Sequence, residues 1–123
     1  LDPVPRPIDA LPGRGDPAAV AWESRAESLT YAGLERAVGA LAGWLAGFGM
    51  PAGSRVASWL PKTREACLMP LAAPRAGLIH VPINPALKRA QVAYILADSG
   101  AALLLTQPAR AATSAGVSGP APA

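Results

Sequence analysis

The sequence predicts an α/β fold: a partial parallel sheet with a mixed edge and helices on both faces. Three observations carry that prediction. Short runs rich in Val, Ile and Leu alternate with segments of helical period, in the order β, α, β, α, β, α, β. The strand-like runs are apolar at consecutive positions, as strands covered on both faces are. Each helical segment is bounded by capping or chain-breaking residues, so strands and helices alternate as βαβ units require.

Residues 1–17 hold five prolines and few large apolar groups, which predicts an extended, surface-hugging lead-in. "AVAW" at residues 19–22 reads as a strand, and the turn in "ESRAES" leads on to "LTY". Thr30 then stands as an N-cap before Leu34, Val38, Leu41, Leu45 and Phe48, which recur at helical spacing and fall on one stripe. Gly39, Gly43 and Ala46 lie opposite, so one face of this helix is expected to be buried.

The run Gly47-Phe48-Gly49-Met50-Pro51-Ala52 stops that helix. Its letters also satisfy G-x-G-x-x-A, but a dinucleotide fingerprint follows a strand and opens a helix, whereas this one closes a helix. "RVASWL" at 55–60 is the next strand. Thr63 caps a second helix, with a kink expected where Pro70 and Pro74 each delete a backbone donor. "LIHVPI" at 78–83 is a buried strand, and Asn84-Pro85 turns the chain into a third helix closed by Gly100. "ALLLT" at 102–106 is the last strand. Residues 107–123, Pro, Ala, Ser and Gly without apolar period, read as a flexible tail that follows the folded segment 18–106.

The chain has 123 residues, 51% hydrophobic and 15% charged, which suits one folded domain rather than disorder. Its net charge of +3 comes from basic residues scattered without an aromatic-interleaved stripe, so nucleic-acid binding is not expected. The uncharged run 37–53 holds five glycines and a proline and is too short for a membrane span. No secretory signal is legible at residue 1, and with no initiator methionine that residue need not be a natural start. A reducing cytoplasm is the expected compartment, because the one cysteine, Cys67, cannot form an internal disulfide; packing is its expected role.

No residue set makes a catalytic site by itself. A P-loop needs lysine directly after glycine, and Lys62 and Lys88 follow Pro61 and Leu87. "TSAGVSGP" has neither lysine nor a following helix. His80 lacks a second histidine and a triad spacing, so a hydrogen-bonded structural histidine is expected. Glu65 and Asp98 are isolated acids near helix ends, and the Gly39, Gly43, Gly47 series allows close helix approach but is explained as easily by small residues on an exposed face.

Taken in order, "LTYAGL" at 29–34, "RAGLIHVPINPAL" at 75–87 and "YILADSGAALLLT" at 94–106 resemble successive motifs in the N-terminal part of the AMP-forming acyl-CoA synthetases, members of the adenylate-forming superfamily. The likeness runs from about residue 16 to residue 106, and the form "VPINPALKRAQVAYILADSGA" is especially similar to exosortase-associated acyl-CoA ligases. The resemblance implies ATP-dependent activation of a carboxylic acid to an acyl-adenylate, then thioester formation with coenzyme A, assisted by magnesium.

The family's phosphate loop, adenine and ribose contacts, hinge and catalytic lysine have no counterpart in these residues. The resemblance therefore transfers no catalytic, cofactor-binding or metal residue. It implies an incomplete N-terminal portion of the family's large domain, inactive alone and prone to self-association through exposed apolar surface. A stand-alone binding module that completes a partner chain in trans, and a remnant without activity, are the other readings.

Two residues depart from the family pattern: Gly33 stands where an acidic residue is usual, and Pro74 where a small helix-compatible one is. An acid at position 33 completes a capping box with Thr30 and removes a helical glycine, so Gly33→Glu is expected to raise stability by roughly 0.5 to 1.5 kcal/mol. An unchanged or lower chemical-denaturation midpoint refutes this.

Overall fold

Arg55–Trp59 (β3) is the strand around which the domain is built: Val56, Ala57, Ser58 and Trp59 are all buried. In this computed structural model, which describes residues 6–108, β3 lies between Ile79–Ile83 (β4) and Leu103–Thr106 (β5). Both pairings are parallel, with Ala57 opposite Val81 on one side and Leu104 on the other. The predicted α/β class with a parallel sheet is what the chain adopts.

Side chains alternate across such a sheet, and two apolar clusters result. Val56 and Leu103 face Tyr31–Ala46 (α1) and Arg64–Arg75 (α2), whereas Ala57, Trp59, Ile83 and Leu104 face Arg89–Ser99 (α3). The strand order β4-β3-β5 explains why helices cover both faces. The chain passes from β3 to β4 in one direction and from β4 back across β3 to β5 in the other. With right-handed crossovers, that reversal moves the connecting helix to the opposite face.

The first strand does not join this sheet. Val20–Glu23 (β1) and Ser28–Thr30 (β2) pair antiparallel in a separate ribbon, joined by a turn in which Ser24 Oγ accepts from the Ala26 and Glu27 amides. The mixed edge is therefore a hairpin beside α1, because a tight local turn closes before any crossover helix intervenes. Nor do residues 8–14 stay extended: Ile8–Arg14 is a 3₁₀ helix containing Pro12, whose ring is buried. Proline fixes φ near the helical value and needs no donor in so short a turn. The Gly15 backbone passes so close to Tyr31 that an added Cβ would lie 2.6 Å from the ring. The tail expected over 107–123 falls outside the described residues beyond Pro108.

The caps read from the sequence are in place. Thr30 Oγ1 accepts from Gly33 N–H at 3.1 Å and Thr63 Oγ1 from Ala66 N–H at 3.3 Å. Gly100 closes α3 at φ 67°, its N–H donating to Leu96 O. On α1, Val38 and Leu45 are fully buried with Ala42, and Leu34 and Leu41 are half-buried. Phe48 departs from the expected stripe. The helix ends at Ala46, so Phe48 lies past its last turn and remains exposed, edge-on to Trp44 at 4.9 Å. The buried-strand reading of 78–83 also needs correction, because β4 is an edge strand on which Ile79 is exposed and Ile83 is the buried residue. α2 continues through Pro70 and Pro74 without a break.

A cluster of long-range polar contacts centred on Arg75 joins three elements. From the last turn of α2, Arg75 hydrogen-bonds both carboxylate oxygens of Glu35 on α1, and its Nη2 also donates to the Asp9 carbonyl at 2.6 Å in the 3₁₀ helix. The hydrogen bond to Glu35 holds the guanidinium pKa above its ordinary value, against the opposing effect of partial burial. Hydrogen bonds to charged groups are worth on the order of 1.5 to 3 kcal/mol when shielded, and less where water competes. Glu35 is half-exposed, so Arg75→Met is expected to cost roughly 1 to 2 kcal/mol in urea unfolding and to speed proteolysis within residues 6–14. Stability and cleavage rates equal to the parent's contradict the clamp.

Candidate functional site

In open parallel sheets, ligands bind beyond the carboxyl ends of strands, where the strand order reverses. Here that point lies between the ends of β3 and β5. Its polar group is already engaged: Thr106 Oγ1 donates to Trp59 O at 2.9 Å. That bond ties the two strand ends together and leaves a strut rather than a reactive group.

The sequence's candidates do not converge. His80, on β4, shares a 2.7 Å hydrogen bond between its Nε2 and Ser58 Oγ, so it is the bonded structural histidine expected. Ser58 is a buried polar residue of the sheet, and leaving such a hydroxyl unpaired costs about 1 to 3 kcal/mol. Glu65 is exposed in the first turn of α2 and Asp98 is exposed on α3. Gly47 caps the end of α1, as the helix-stop reading of the Gly-Phe-Gly run requires. Cys67 is exposed rather than packed, because α2 turns Leu68, Met69, Leu71, Ala72 and Ala73 inward and leaves Cys67 and Pro70 on its outer surface. Among the described residues, no group of three or more His, Cys, Asp or Glu could hold a metal ion.

A cleft of about 430 Å³ was not anticipated. It opens between α1 and the start of α2, floored by Leu29, Leu41 and Leu68 and rimmed by Arg36, Arg64 and Glu65. Gly33 lines it, so the missing side chain at that position leaves space: a Cβ there would meet Thr30 Oγ1 at 3.4 Å and Leu29 at 3.5 Å, which are ordinary contacts. Gly33's departure from the family pattern was the one sequence signal that pointed here; the pairing of Arg36 with Arg64 has none.

The family model for "AMP-binding enzyme" matches residues 10–121. The chain belongs to this family of adenylate-forming enzymes. Malpibaldin synthetase of Mortierella alpina is 38% identical over 90 residues, which are 73% of this chain and 2% of that protein. Acetyl-coenzyme A synthetase of Mycobacterium tuberculosis H37Rv is 35% identical over 107 residues, 84% of this chain and 16% of that one. Among solved structures, apo MatB from Rhodopseudomonas palustris superposes with TM-score 0.81 at 29% identity, covering 89% of this chain and 22% of MatB. VinN in complex with L-aspartate gives 0.83 at 28%, covering 91% and 30%. The chain thus spans a small part of each relative, and no helix among its described residues is long and apolar enough to cross a membrane.

The His80 environment generates a pH prediction. Burial lowers its pKa below the ordinary value, so folding favours the neutral ring. A group with a depressed folded pKa that must lose charge to fold contributes its full stability above the unfolded value, and loses it as pH falls through the folded one. Stability is expected to fall as pH drops below about 6.5, the ordinary histidine value, and His80→Gln is expected to remove most of that slope. An equal slope in parent and variant denies His80 the role.

Proposed function

We propose that this segment is scaffold for an AMP-forming acyl-CoA synthetase: it belongs to the part of the domain that supports activation of a carboxylic acid by ATP and transfer to coenzyme A, and it does not itself carry the reacting groups. The observation that carries this reading is the engagement of the polar groups at the sheet: Ser58 with His80, and Thr106 with Trp59 O. Their hydrogen-bonding capacity goes into holding strands together. The acetyl-coenzyme A synthetase relative and the MatB and VinN structures support the ligase reading over a nucleic-acid or membrane function. The form of residues 81–101 supports the exosortase-associated ligase group, and a cytoplasmic location suits that chemistry.

A second reading, completion of a partner chain in trans, is favoured by the exposed apolar groups Ile79 on the edge strand and Trp44 and Phe48 at the end of α1. The same groups support self-association of the isolated segment.

The test is ATP–pyrophosphate exchange with a panel of fatty and aryl acids. The 123 residues alone are expected to give background exchange. Acid-dependent turnover clearly above that level from this chain overturns the scaffold reading, while turnover only on adding a chain with the family's phosphate loop and catalytic lysine supports completion in trans.

A further inference from the structure

We infer that the cleft between α1 and the first turn of α2 is a binding site for a small carboxylate carried on an apolar body. Its volume of about 430 Å³ lies within the range of small-molecule pockets. The floor is apolar, with Leu68 buried and Leu29 and Leu41 half-buried, which favours a hydrocarbon or aromatic body over a bare ion. The rim supplies cations from two elements. Arg36, on α1, makes no hydrogen bond or ion pair with any described residue, and its Nη2 lies 3.8 Å from where a Cβ on Gly33 would be.

Arg64 faces it from α2. Its Nε lies 3.9 Å from Glu27 and 3.8 Å from Glu65, both longer than hydrogen bonds, so these acids offset its charge without occupying its terminal nitrogens. Glu65 stands on the rim and opposes a dianion more than a monoanion, which favours a carboxylate over phosphate. The first turn of α2, whose amides carry partial positive charge, adds to the attraction. Gly33 gives the ligand its room: a carboxylate side chain at this position would fill the same space beside Arg36.

The test uses the full 123-residue chain and fluorescence titration with 2-naphthoate, with 2-naphthylmethanol as the neutral counterpart and inorganic phosphate as the anion without an apolar body. Saturable binding of 2-naphthoate is expected, about tenfold or more tighter than either comparison ligand, because a charge-assisted bidentate contact is lost in one and the apolar contact in the other. Gly33→Glu, which fills the cleft, and Arg36→Gln, an exposed substitution that leaves the core intact, are each expected to weaken binding about tenfold. Arg89→Gln, on α3 across the sheet, is expected to leave it unchanged. Should Gly33→Glu fail to fold, Arg36→Gln carries the test. No saturable binding, equal affinity for the alcohol, or affinity indifferent to Arg36→Gln overturns the assignment.

Discussion

The domain depends on one constraint: β3 must be covered on both faces and paired on both edges. Four consecutive residues, Val56 to Trp59, are buried, and a strand of that kind cannot face water on either side. Parallel pairing with β4 and β5 satisfies its backbone and requires crossover helices. The reversal of strand order then places α2 and α3 on opposite faces. Everything else attaches to this unit, with α1 on α2, the β1–β2 ribbon beside α1, and the 3₁₀ helix drawn in by Arg75.

Such an arrangement explains what the polar groups of the sheet are used for. The polar side chains that the sheet carries inward serve the sheet. Ser58 and His80 satisfy one another across neighbouring strands, and Thr106 satisfies the backbone at the end of β3. The groups with spare capacity lie on the surface, at the arginine-rimmed cleft, where the missing side chain of Gly33 leaves an open space.

What the sequence made legible was local. Thr30, Thr63 and Gly100 mark helix ends because capping depends on a few adjacent residues, and the strands β3, β4 and β5 fall within one residue of the apolar runs that predicted them. Contacts between distant residues were not legible. Arg75 finds Glu35 across 40 positions and Asp9 across 66, which no periodicity encodes. The same limit hid the cleft and made β1 look like a sheet strand, since four apolar residues read alike in a hairpin and in a crossover unit. Phe48 misled for another reason: a helical period extrapolated past Ala46 assigns a face to a residue that is no longer helical.

Native-state hydrogen exchange tests the central claim most directly, because the centrality of β3 is a statement about which amides open last. The backbone amides of residues 56–59 are expected to be the slowest to exchange, opening together with those of β5 at the free energy of global unfolding, while the β1–β2 ribbon exchanges faster. Amides of β3 that exchange as fast as the ribbon's contradict the account, since the sheet would then be no core and the segment no scaffold.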